Sequence, residues 1–370
     1  MKTSFVRRFQ PLNVVITLAY FVLTPVAFAQ QSDILPGSER PMFTHLPATL
    51  HQPRNIVEAA ATPLTTWNGS FTYQGTTYTY NMVGAQPSTN TSVTIPVEII
   101  PIKIVISGHR GVQSTFDPSQ VLSNGKTVTN NTVASPIFSS IPFSSGGVSM
   151  GTTQYIDAYQ RANFWGTRDT RSHLLLGGPT VLAEQTLSPP SHDGTTGTVF
   201  GFTAGLVDIN WFDSQVHNLI TNLGITPNTF PIFLTYDVYL TQNHSCCIGG
   251  YHSSTGSSSA PQAYAHATYV DHVGAFAQDV SALSHEAGEW ADDPLVVKIN
   301  GNNTPCGILE VGDPLENNAN FGAFPYTANG FTYNLQDLVT LPYFGAPPST
   351  SVNSEFTFQG EALTVCQNGS

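Results

Sequence analysis

The chain has 370 residues, with 12 basic and 24 acidic side chains and a formal net charge of −12. An acidic balance of that size speaks against nucleic acid and anionic membrane surfaces as partners. Charged residues are only 10% of the chain, well under the usual quarter, so Ser, Thr, Asn and Gly must cover the surface, as suits a β-rich exported protein.

Lys2, Arg7 and Arg8 precede an apolar run from Val14 to Phe28 that closes on Ala27-Phe28-Ala29. This is the pattern of a secretory signal peptide, residues 1–29, cleaved before Gln30. Its removal takes away three basic residues and no acidic ones, which leaves the remainder more acidic still. No later run is long and apolar enough to span a bilayer, so the mature chain is expected to be secreted or periplasmic, without membrane contact. Residues 30–61 are proline-rich and weakly patterned, as in an N-terminal arm or pro-segment. Residues 62–370 are expected to form one domain, with a C-terminal subregion from about residue 294.

Alternating aromatics from Trp67 to Met82 predict a β-hairpin that turns at Gln74-Gly75. Thr91 to Ile106 is a β-branched run in which Pro96 and Pro101 predict an edge or bulged strand. Glu98 within it reads as a solvent-side residue. Residues 107–150 read as loops and short strands, Tyr155–Phe164 as a helix, and Leu174–Leu187 and Thr198–Val207 as strands or mixed structure. Trp211–Leu223 is a clear amphipathic helix with Gly224 to cap it and Pro227 beyond. Its His217 reads as packed or solvated. Phe230–Leu240 predicts a strand, Thr241–Gln262 a loop, and Ala263–Val270 a strand that runs toward the next helix, in the place of an edge strand that pairs with an extended substrate.

That helix spans Ser281 to Pro294, SALSHEAGEWADDP. Val280, Leu283, Ala287 and Trp290 recur at steps of three and four and predict one apolar face. Asp279 is placed to cap the start, and Pro294 stops the helix near Asp293. His285 and Glu289 lie one turn apart on a common face, with Glu286 beside them. In the H-E-x-x-H helix two histidines bind zinc and the glutamate acts as general base on water. Here Glu289 takes the place of the second histidine, giving H-E-x-x-E.

A catalytic zinc takes three protein ligands, so a third must come from elsewhere. Glu310-Val311-Gly312-Asp313 offers Glu310 or Asp313. Asp293 leaves the helix before the proline, and Asp292 reads as a cap or a solvated residue. His252 is a candidate proton donor to a developing oxyanion, and Tyr251, Tyr264 and His266 offer weaker versions of that role. Four cysteines in an exported chain suggest two disulfides. Because adjacent cysteines rarely bond each other, Cys246 and Cys247 are expected to reach Cys306 and Cys366, in an unassigned order.

The segment HEAGEWADDPL, preceded by CCIGGYHSS and followed by LEVGDP, resembles the plant EXORDIUM or phosphate-induced protein family and its secreted bacterial relatives. His285, Glu286, Glu289, Asp293, Pro294, Glu310 and Asp313 fall on that family's His-Glu-x-x-Glu and Glu-x-Gly-Asp elements, and His252 on its earlier Cys-Gly-x-His element. The resemblance covers roughly Tyr236 to Asp313. Asp292 stands where the family tends to have threonine, and the cysteine expected after Glu-x-Gly-Asp is absent, with Cys306 upstream instead. The resemblance implies an extracellular protein of the kind linked to growing cell walls.

Together these features predict an α+β, zincin-like single domain with a mixed β-sheet packed on a metal-site helix. His285, Glu289 and Glu310 or Asp313 would bind zinc, and Glu286 would activate water against a peptide or protein substrate. The other expectation is a non-catalytic wall or carbohydrate-associated binding protein whose acidic cluster is structural or holds calcium. Calcium favours oxygen ligands alone, so the imidazole of His285 separates the two.

Overall fold

The computed structural model describes residues 39–73, 75–108, 111–296, 309–340 and 357–359. The signal segment, Cys306 and Cys366 lie outside these residues. The described chain opens with strands β1 (Glu39–His45) and β2 (Thr49–His51) and one helical turn, α1 (Ile56–Ala59), capped by Asn55. The aromatic alternation forms the expected antiparallel hairpin of β3 (Thr66–Tyr73) and β4 (Thr76–Val83). The β-branched run divides at Pro96 into β5 (Ser92–Ile95) and β6 (Val97–Ser107). Next come β7 (Gln113–Phe116), α2 (Val128–Val133), β8 (Ile141–Ser145), β9 (Val148–Thr153) and the expected helix α3 (Tyr155–Asn163). Then β10 (His173–Leu176), β11 (Thr180–Val181), β12 (Gln185–Leu187), β13 (Gly194–Val199) and β14 (Phe202–Asp208) lead into α4 (Ile209–Leu223). The rest comprises β15 (Phe230–Tyr236), β16 (Val238–Gln242), β17 (Ser245–Ser257), β18 (Ala260–Tyr269), α5 (Ser281–Asp292) and a closing hairpin, β19 (Ala323–Ala328) and β20 (Phe331–Gln336).

Strands outweigh helices in this mixed α+β architecture, and the central sheet runs β11-β6-β15-β18-β17-β16-β14-β13. Neighbours β6, β15 and β18 are parallel, whereas β17 pairs antiparallel with both β18 and β16. Side chains alternate across the sheet, which fixes what each face meets. Ile100, Phe233, Val238, Tyr251 and Tyr264 pack under α4. Ile99, Ile232, Ala265 and Ala267 face the cluster that holds α5, where Trp290 stacks on Phe230 with ring centroids 3.8 Å apart. The closing hairpin covers α5 from the far side, with the Gln336 amide donating to Ser284 Oγ at 2.8 Å. No helix among the described residues is long and apolar enough to cross a membrane.

Four local expectations are corrected. First, β6 is internal despite its prolines, with β15 along one edge and β11 and β12 along the other. Pro101 falls between the registers of β11 and β12, where no ladder bond is needed. Glu98 is half-buried with one carboxylate oxygen unpartnered, so it is not a freely solvated residue. Second, the strand expected over Phe230–Leu240 breaks at Asp237, which adopts φ 51°. Third, Thr241–Gln262 is not a loop: its 13-residue β17 is the longest strand described. A tight turn at Asn243 and His244, both with positive φ, joins it to β16. Fourth, β18 is not the free edge strand expected ahead of the metal-site helix, because β15 and β17 flank it.

The disulfide expectation also changes. Cys246 and Cys247 are bonded to each other. The peptide between them is cis, and their Cα atoms lie 3.0 Å apart.

A candidate metal centre

Three elements converge on the site. From β17 comes His252: Tyr251 faces α4 and donates to Asp213 at 2.9 Å, so the next residue must face α5. From α5 come His285, Glu286 and Glu289. The third element is the segment that carries Glu310 and Asp313 and continues into a 3-10 turn, Asp313–Leu315, with Glu316 at its end. Two glycines let these elements approach. A Cβ on Gly250 would lie 2.7 Å from Glu286 Oε1, and one on Gly312 would overlap the His285 ring.

α5 has no side-chain cap, and all twelve of its residues are buried. Asp279 does not cap it in the expected way. Its carboxylate receives Val280 N at 2.5 Å and the Asn334 backbone and side-chain amides at 2.8 and 2.6 Å. Asp292 is neither cap nor solvated: it is buried, with Tyr159 OH donating at 2.9 Å and Gln160 Nε2 at 2.5 Å. Asp293, the C-cap, belongs to no compact ligand group among the described residues.

His252, His285, Glu286 and Glu289 have side chains at 0% exposure. His285 Nε2 lies 3.0 Å from Glu289 Oε1 and 3.5 Å from Asp313 Oδ1. His252 Nδ1 lies 3.2 Å from Glu286 Oε2 and 3.7 Å from Glu289 Oε2. Three groups have ligand atoms mutually within 4.8 Å: His252 with Glu289 and Glu310, His285 with Asp313 and Glu316, and His285 with Glu286 and Glu289. The expected residues therefore do come together, but the compact partner of Glu289 and Glu310 is His252. Glu316 joins as well, a residue to which no sequence motif pointed.

The site is rich in acceptors and short of donors. His252 Nε2, both nitrogens of His285, Glu286 Oε1, Glu289 Oε2, Glu310 Oε2 and Asp313 Oδ1 are buried without a hydrogen-bond partner. Buried polar atoms left in this state cost on the order of 1–3 kcal/mol each, and native chains tolerate few of them. A divalent cation satisfies such a set. The donor chemistry fits one: Glu289 Oε1 is already engaged by the Gly312 N–H at 3.1 Å, and its free Oε2 belongs to the side that His252 approaches.

Burial dominates the electrostatics. It pushes the His252 pKa down to about 4, so that imidazole is neutral. Burial also lifts Glu286 and Glu289 well above the ordinary carboxylate range, helped by neighbouring carboxylates. In His285 burial opposes charge, but Asp313 and Glu286 outweigh it and raise the pKa. Burial would raise Glu310 too, yet at the low pH where His252 is charged that imidazole, together with the hydrogen-bonded His45, holds it low.

Tyr251, Tyr264 and His266 lie on the other face of the sheet. Both tyrosine hydroxyls donate to Asp213 of α4, and His266 Nε2 meets Thr235 Oγ1 at 3.0 Å. They are not part of this centre. His217 is half-buried against Tyr264, in line with a packed residue.

No family model, curated protein or solved structure matches the chain.

Proposed function

We propose that the chain is a secreted, zinc-dependent, zincin-like hydrolase of peptide bonds, acting outside the cytoplasm. The observation that carries this reading is the buried, donor-poor array of His252, Glu289 and Glu310 with Glu286 alongside. One imidazole and two carboxylates form a three-ligand set that leaves a position open, as catalytic zinc sites do. The imidazole favours zinc over calcium. When bound, zinc supplies a Lewis acid that polarises a carbonyl and acidifies water.

The remaining roles fall to the chain's own groups. Glu286 Oε1 is unpartnered, so its carboxylate is free to take a proton from water, and a cation held beside it would offset the burial that raises its pKa. His252 Nδ1, 3.2 Å from Glu286 Oε2, orients that carboxylate. His285 lies against Glu289 Oε1 and Asp313 and positions the Glu289 carboxylate.

The complete burial of the imidazoles and glutamates favours a second reading, a non-catalytic wall-associated protein with a structural metal. Assay of the purified chain on unfolded casein with zinc supplied separates the two. Hydrolysis that disappears in Glu286→Gln while metal content is kept supports the enzyme. Metal-dependent folding with no hydrolysis supports the structural site.

A further inference from the structure

The strand that covers the centre comes from the start of the described chain. β1 pairs parallel with β17, with Thr44 opposite Tyr251 and His45 opposite His252. β2 continues along the same strand, with Thr49 opposite Thr255 and His51 opposite Ser257. Tyr251, His252, Thr255 and Ser257 also pair with β18. A strand has only two edges, so β1 and β2 must occupy the edge of β17 that faces away from β18. Without them that edge would present a row of unpaired amides and carbonyls beside the ligand His252.

Beyond the backbone, β1 engages the polar centre itself. The Phe43 ring packs on His285 with centroids 4.1 Å apart, and the Phe43 amide donates to Glu316 Oε1. His45 Nδ1 lies 3.2 Å from Glu310 Oε1. Leu46 N donates to the His252 carbonyl at 3.0 Å, and Ser253 Oγ donates back to the Leu46 carbonyl at 2.8 Å. After His51 the chain leaves through Gln52 and Arg54, both exposed, into α1, where Ile56 is 85% exposed. The segment is thus bound along its length and tied to the domain through a solvent-facing connection.

We propose that the outer edge of β17 is the docking edge for an extended polypeptide, and that residues 39–51 are its resident occupant in the intact chain. This rests on the peptidase reading of the same centre and names its substrate class: an extended strand, recognised through backbone pairing, with an aromatic side chain over His285. A tethered strand competes at an effective concentration in the millimolar range. Free peptide therefore reaches the centre of the intact chain in competition with that strand, and more readily once the tether is cut.

The test uses the full chain carrying Glu286→Gln, with a site-specific protease sequence inserted after Gln52. The probe is a fluorescently labelled peptide of residues 39–51, followed by anisotropy before and after the cut, with dialysis against excess probe to exchange the cut strand. Cutting is expected to lower the half-saturating probe concentration by at least about 10², and a probe carrying Phe43→Ala is expected to bind more weakly. Equal binding before and after the cut, or no binding once the native strand has been exchanged away, overturns the proposal. Casein hydrolysis by the chain without Glu286→Gln is measured in parallel. Probe binding without hydrolysis upholds the docking edge and removes the peptidase reading. Equal hydrolysis by intact and cut chains upholds the peptidase and overturns the resident strand.

Discussion

The helices α4 and α5 lie on opposite faces of one sheet and obey different rules. α4 follows ordinary helix physics. Asp208 caps its first turn by accepting from Asn210 N and Trp211 N, Gly224 ends it at φ 67°, and Phe212, Val216, Leu219 and Ile220 form its buried stripe. α5 lacks a side-chain cap, has no solvent-facing side, and buries a histidine, two glutamates and an aspartate. Asp292 has donors in Tyr159 and Gln160, but nothing in folding alone rewards burial of the histidine and glutamates with so few. The contrast teaches that α4 serves to hold the sheet, whereas α5 carries clustered side chains that could hold a metal ion and is held in place by everything else.

The largest effect expected from this contrast is functional. Glu286→Gln keeps nearly the same shape and should lower casein hydrolysis by about 10² to 10⁴, as for loss of a general base, with circular dichroism and metal content unchanged. No matching substitution on α4 should touch activity. Next, Trp290→Ala should destabilise the fold by about 3–5 kcal/mol, as for other large aromatic-to-alanine truncations in cores, because its stacked contact with Phe230 has no solvent alternative. Urea unfolding checks it.

A pH effect comes next in size. Burial pushes the Asp279 carboxyl up to about 7 in spite of the Asn334 and Val280 donors. An unfolded aspartate loses its proton near pH 4. Between about pH 4 and 7 the folded chain therefore holds a proton that the unfolded chain has released. Stability falls as pH rises through that window, by on the order of a few kcal/mol in all, since a tenfold difference in proton affinity is worth about 1.4 kcal/mol. Unfolding midpoints from pH 5 to 8 should show this slope, and Asp279→Asn should lessen it by one group's share, since Asp292 and Glu316 are also raised to about 7.

Smaller, but opposite in sign to most core changes, is Glu289→Gln. In metal-free protein it replaces a buried carboxyl, held protonated by its surroundings, whose Oε2 has no partner, with an amide that supplies donors to the neighbouring acceptors, so it should stabilise by on the order of 1–3 kcal/mol while abolishing metal uptake. The smallest effect belongs to α4. Asp208→Ala removes an ordinary cap and should cost about 1 kcal/mol, with no change in metal content.

What the sequence revealed follows the same division. α4, α3 and the Trp67–Met82 hairpin were legible because period, cap and turn residues agree in them. α5 was legible because H-E-x-x-E is a chemical pattern independent of packing, although its burial on all sides was not. β17 was hidden: its Ser, Gly and Cys residues are small, both of its faces are buried, and no alternation of polar and apolar marks it. With it went the placement of His252 in the same group as Glu289 and Glu310. Glu316 was hidden because its approach depends on a 3-10 turn. The cover formed by β1 depends on pairing across some two hundred residues, which local pattern cannot register.

The central claim is that His252, Glu289 and Glu310 hold a metal ion, and metal content tests it most directly. Protein purified without chelator and dialysed against trace zinc should carry about one zinc per chain by elemental analysis. His252→Ala and Glu310→Ala should each lose most of it, and Asp208→Ala should keep it. A folded wild-type chain without zinc, or variants at His252 and Glu310 that bind it as well as wild type, would contradict the account.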